Sequence, residues 1–91
     1  MSIVVRFHPS NLTAEKYEAS NPQVEAIGFT PEGLDYHVAF GSPDNLAVSE
    51  IWDSREQFEA FGEKLMPVLA DAGIEFSGEP EVFEVHEIVR R

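Results

Sequence analysis

Cysteine is absent from this 91-residue chain, and so is any surplus of positive charge. The missing thiols exclude disulfide frameworks, thiolate zinc sites and cysteine nucleophiles. Six Lys+Arg stand against 17 Asp+Glu, a net charge of −11. Nucleic-acid affinity comes mainly from neutralising phosphates, so this imbalance argues against DNA or RNA as a partner. The same excess disfavours anionic membrane surfaces. No apolar run approaches the ~18 residues of a membrane span. The segment Met1 to Arg6 lacks the basic and long apolar regions of a secretory signal. The expectation is a cytoplasmic protein. Gly28 and Gly33 do not have the spacing of a nucleotide-binding loop. No P-loop or Ser/His/Asp arrangement is visible.

What is present is a core-forming composition. The chain is 43% apolar and carries seven Phe, two Tyr and one Trp. It is too aromatic for a disordered acidic tail, and its length fits one domain spanning residues 1–91. A chain this short buries a modest fraction of its surface, and no disulfide or metal staple is evident. A second copy is the natural further source of burial, which makes a homodimer the expected state.

Six elements follow from the local patterns. The β-branched and aromatic run Ile3 to Phe7 predicts a strand. Thr13 caps a helix carrying Ala14, Tyr17, Val24 and Ile27 on one stripe. Pro22, after Asn21, predicts a kink or a split into two short helices. Leu34 to Gly41 and Leu46 to Asp53 are strands joined by Ser42-Pro43-Asp44-Asn45, which has turn chemistry. Ser54 and Gln57 form a capping box. Phe58, Phe61, Leu65, Val68, Leu69 and Ala72 then follow helical spacing, with a bend predicted at Pro67 and a stop at Gly73. Glu81 to Val89 is the last strand. The order β-α-β-β-α-β predicts an α+β, ferredoxin-like domain. It has a four-stranded antiparallel sheet with two helices on one face.

Two helices cover one face of such a sheet, so each strand must be divided by its period of two. If Ser42 and Asn45 close the hairpin, His37 lies opposite Glu50, Asp35 opposite Trp52, and Ala39 opposite Val48. The alternate set of Tyr36, Val38, Phe40, Ala47, Ser49 and Ile51 is more apolar and is assigned to the helices. Ile3, Val5 and Phe7 are assigned inward on the first strand, and Phe83, Val85 and Val89 on the last. The open face then collects Arg6, His8, His37, Glu50, Trp52 and His86, together with Asp35 and Glu84. That face mixes polar groups with Trp52, Val4, Val48 and Ile88. It suits a second sheet packed over it, with a pocket between. A one-residue slip would scatter the set.

His37 opposite Glu50 is the sharpest pair, since a carboxylate fixes the tautomer of an imidazole and strengthens it as a general base. A purely structural cross-strand hydrogen bond is the alternative. His8, His37 and His86 with Glu50 or Glu84 offer metal-ligand types, but without any motif spacing. Arg6 could hold an anionic group or pair with Glu84.

The stretch Tyr36-His37-Val38-Ala39-Phe40-Gly41 leads to Val48-Ser49-Glu50-Ile51-Trp52-Asp53-Ser54-Arg55-Glu56-Gln57-Phe58. Leu65-Met66-Pro67-Val68-Leu69, Ala72-Gly73-Ile74 and Glu81-Val82-Phe83-Glu84-Val85-His86 follow. The chain resembles the antibiotic-biosynthesis-monooxygenase-like group of dimeric α+β barrels on these segments, most specifically at the Glu-x-Trp-x-Ser junction. The resemblance implies two protomers paired sheet to sheet and a cavity for an aromatic or polyketide-like molecule. It implies a cofactor-independent monooxygenase or a cyclase/isomerase, the alternative being a non-catalytic ligand-binding or structural dimer. Trp52 matches the pocket Trp of haem-degrading members. Ile3 to His8 holds no Asn, however, and Arg55 to Ala72 holds no His, so those members' other haem residues are missing. No cofactor is expected. The site assignment is His37 as base, Glu50 as its orienting carboxylate, and Trp52, His86, Arg6 and His8 as substrate contacts.

Overall fold

A computed structural model describes residues 2–90. The elements run β1 (Ile3–Phe7), α1 (Ala14–Ala26), β2 (Leu34–Ser42), β3 (Asn45–Trp52), α2 (Arg55–Asp71) and β4 (Glu81–Glu84). They form one antiparallel sheet in the order β2-β3-β1-β4. This is the ferredoxin-like arrangement anticipated from the element order.

The helix starts are those the local chemistry dictates. Thr13 accepts a hydrogen bond from Lys16 N at 3.1 Å, and Ser54 accepts one from Gln57 N at 3.2 Å. Each satisfies an amide that the first helical turn leaves without a partner. Neither Pro22 nor Pro67 divides its helix, because each lies inside one continuous element. Proline removes a single backbone hydrogen bond. Gly73, at φ +75°, ends the second helix region in the left-handed conformation that glycine adopts without strain.

The hairpin register is the expected one from Tyr36 to Ser42, with His37 opposite Glu50 and Ala39 opposite Val48. It shifts between Leu34 and Tyr36, so Leu34 rather than Asp35 pairs with Trp52. β4 is shorter than expected and ends at Glu84. Its neighbour β1 supplies partners only as far as Ile3, opposite Glu84, and one further bond runs from Val85 N to Ser2 O. Among the described residues, no strand continues past that point to pair with. Arg90 in the tail donates to Tyr36 Oη at 3.0 Å and also contacts the Asp35 carboxylate.

The two sheet faces are the reverse of the assignment on β2, β3 and β4. Ile3, Val5 and Phe7 are buried, as expected, and they pair with Trp52, Glu50 and Val48. The helix-facing layer therefore contains Val48, Glu50 and Trp52, with His37 and Ala39 in register. Tyr36, Val38, Phe40 and Phe83 lie on the open face at 40–49% exposure. Val82 packs against the core in place of Phe83. Counting apolar residues favours the wrong face because the buried layer includes a charged residue whose polar atoms are all satisfied. The core comprises Ile3, Val5, Phe7, Leu12, Val48, Trp52, Phe61 and Ile74. Glu15, Glu18, Glu25, Glu56, Glu59 and Glu63 are exposed on the helices, where they account for much of the acidic charge. Among the described residues, no helix is long and apolar enough to cross a membrane.

Candidate functional site

The cavity lies between the sheet and the two helices, on the buried side. It encloses about 260 Å³. Its wall is mostly apolar, with Phe7, Phe29, Phe61 and Phe76 among the lining side chains. Polar side chains enter from α1 (Tyr17, Ser20, Asn21 and Glu25), from β2 (His37) and from β3 (Glu50). Among the described residues no Lys or Arg lines it.

Three side chains are chained through Glu50, which is only 5% exposed. His37 Nδ1 lies 2.6 Å from Glu50 Oε2, and Trp52 Nε1 donates to Glu50 Oε1 at 3.0 Å. With both oxygens accepting, the carboxylate is compensated, as a buried charge must be. In the neutral imidazole the proton sits on Nδ1 against this carboxylate, which leaves Nε2 as an acceptor. Tyr17 Oη lies 2.8 Å from Nε2 and donates to it. The Tyr17 and His37 rings are near parallel at 18°, with centroids 6.2 Å apart. Phe29 meets the imidazole edge-on at 5.3 Å. Trp52 is 1% exposed and packs against Phe58 and Phe61. It supports Glu50 from behind and is not part of the cavity wall.

Burial, and next the charge of Glu50, raise the pKa of Tyr17 above the ordinary phenol value of 10.0. The folded state thus holds this proton more tightly than the unfolded chain does. The associated stability is complete below about pH 10 and is lost as pH rises through the higher folded value. Tyr17→Phe has no such proton. Between about pH 8 and about pH 11, wild type should lose more stability than this variant, as read from urea midpoints. Equal losses would show that the phenol contributes nothing to the pH dependence.

The structure brings His37, Glu50 and Trp52 together and places the other nominated residues elsewhere. Arg6 and His8 are exposed, and His8 Nε2 meets Glu81 Oε1. His86 is exposed in the tail beyond β4. None of these three borders the cavity. The three histidines are dispersed, and among the described residues no group of three or more His, Asp or Glu side chains could hold a metal ion. Sequence reasoning missed Tyr17 as a polar partner. The Thr13 cap and the helical stripe put it on the inward side of α1, but no local pattern connects it to His37.

No known family profile and no curated protein matches this chain by sequence. Solved structures do match. SnoaB, a cofactor-independent oxygenase from Streptomyces nogalater, is 18% identical over 99% of this chain and 96% of its own, with a TM-score of 0.61. Protein YJCS is 12% identical over 94% of this chain and 100% of its own, with a TM-score of 0.68. A candidate antibiotic biosynthesis monooxygenase from Nitrosomonas europaea is 13% identical over 96% and 100%, with a TM-score of 0.62. At such identities the shared property is the backbone arrangement. The chain has the α+β ferredoxin-like fold of the antibiotic-biosynthesis-monooxygenase-like structures.

Proposed function

We propose that this protein is a cytoplasmic, homodimeric enzyme of the antibiotic-biosynthesis-monooxygenase-like group. It uses a base centred on His37 to deprotonate a neutral aromatic or polyketide-like molecule, without a cofactor. The observation that carries the reading is the His37–Glu50 pair set into a mostly apolar cavity. A carboxylate holding one imidazole nitrogen fixes the tautomer whose other nitrogen accepts a proton. The acidic side chains of Glu25 and Glu50 in the wall, with no Lys or Arg there among the described residues, favour an uncharged ligand over a carboxylate or a phosphate ester. Removing a proton from an electron-rich phenol or an enolisable carbon yields the anion from which oxygenation, cyclisation or isomerisation proceeds. The full-length likeness to SnoaB supports the oxygenase branch.

The reaction is tested by two probes. Oxygen uptake with 1,5-dihydroxynaphthalene reports oxygenation, and solvent-deuterium exchange into 2-tetralone reports deprotonation alone. His37→Ala should abolish both while the far-ultraviolet circular dichroism is preserved. General-base catalysis of this type is worth about 10²–10⁴-fold. Unchanged turnover would remove His37 from the reaction.

Dimerisation is proposed through the open sheet face, where Tyr36, Val38, Phe40 and Phe83 leave large apolar side chains half-exposed. A contiguous patch of this kind on a small domain marks an association surface. Light scattering should give about twice the 10.2 kDa chain mass. A clean monomer at micromolar concentration would refute the sheet-to-sheet pairing.

A further inference from the structure

His37 offers no free nitrogen to a molecule in the cavity. Nδ1 is engaged with Glu50 and Nε2 with Tyr17. One ring face lies along Tyr17, and Phe29 closes in edge-on. The Tyr17 oxygen differs. It gives its single proton to Nε2 and keeps acceptor lone pairs, and Tyr17 itself borders the cavity.

We propose that Tyr17 is the catalytic residue that meets the substrate, its phenolic oxygen taking the substrate's proton as its own proton passes to Nε2 of His37. The inference rests on the proton-transfer reading above and names the atom at which that transfer begins. The substrate C–H or O–H bond breaks and a new O–H bond forms at Tyr17. The former Tyr17 O–H bond breaks and an N–H bond forms at His37. The bonding pair stays on the substrate as an enolate or phenolate. The resulting imidazolium sits 2.6 Å from Glu50 Oε2, and no charge is left on Tyr17. A relay of this kind needs Tyr17 to stay protonated while the enzyme rests. Burial and the Glu50 charge hold its phenol in that form well past neutrality. The substrate class is a neutral ring compound with an acidic hydroxyl or a hydrogen alpha to a carbonyl.

The decisive measurement is deuterium exchange into 2-tetralone, followed by proton NMR for wild type, Tyr17→Phe and His37→Gln. Tyr17→Phe is expected to lower kcat about 100-fold or more with KM within about threefold, because only the transferred proton is lost. The competing arrangement predicts the opposite sign. If His37 takes the proton directly, removing the hydroxyl uncovers Nε2, and the rate holds or rises. That result, with His37→Gln inactive, overturns the role of Tyr17 and leaves the base in place. Absence of exchange by wild type overturns both. A second measurement does not depend on how Tyr17→Phe folds. Fluorotyrosine at both tyrosines makes the phenols more acidic with little change of shape, and Tyr36 lies outside the cavity wall. The pH profile of kcat should then move to lower pH, and an unmoved profile overturns the relay.

Discussion

Replacing Trp52 with alanine is expected to remove about 3–5 kcal/mol of stability, a large share of what a 91-residue domain possesses. The indole is 1% exposed and stands in edge or tilted contact with Phe58 and Phe61. Its removal opens a cavity at the centre of the core. It also takes the donor from Glu50 Oε1 and leaves a buried carboxylate short of one partner. Trp52→Phe separates the two effects, since it retains ring packing but cannot donate. Its expected cost is about 1.5–3 kcal/mol, the scale of a hydrogen bond to a charged group. Urea unfolding followed by circular dichroism at one fixed protein concentration measures both, since the proposed dimerisation would make stability depend on concentration. A loss below about 1 kcal/mol for Trp52→Ala would show that the indole does not anchor this core.

The second large effect concerns the open face. Val38→Glu with Phe40→Glu should turn the proposed dimer into a monomer, weakening association about a thousandfold or more. Each side chain contributes roughly 1.5–3 kcal/mol when buried, and twofold symmetry counts each substitution twice. The new carboxylates would also face like charges across an interface between chains already at −11 each. Neither residue lines the cavity, so the monomer should keep its fold. Ala60→Glu with Ala70→Glu adds the same charge on the exposed side of α2 and serves as the control. Analytical ultracentrifugation distinguishes the outcomes. A dimer that survives the sheet substitutions, or dissociates equally with the helix pair, would exclude this face as the interface.

Much of the local structure was legible because it depends on neighbours in sequence. Thr13 and Ser54 cap helices through amides three residues away. The turn from Ser42 to Asn45 sets the hairpin register, and that register places His37 opposite Glu50. The prolines were over-read. A local rule allows a split into two short helices at Pro22, whereas a single helix runs through it, as one does through Pro67. The long final strand was over-read as well, because its length is limited by β1 and not by its own composition.

Face assignment was the main loss. Alternation divides a hairpin into two sets but carries no information on which set is inside. The more apolar set, with Tyr36, Val38 and Phe40, is the outer one. What turns the hairpin over is its pairing with β1, where Ile3, Val5 and Phe7 lie against Trp52, Glu50 and Val48. The polar atoms of that inner set are tolerable because they satisfy one another. The same inversion carries His37 away from Arg6 and His8, which keep the open face of β1, while the early end of β4 leaves His86 in the tail and Tyr17 comes in from a helix 20 residues earlier in the chain.

The amino-acid sequence by itself determined the element order, the helix caps, the hairpin pairing and the opposition of His37 to Glu50. Each of these is settled by interactions between residues close along the chain or joined by one turn. Only the tertiary structure decided which sheet face is buried, which of the candidate residues share a cavity, and that Tyr17 closes over His37. Those outcomes depend on strands and a helix that meet across long sequence separations, where burial of the whole layer outweighs the polarity of any single member.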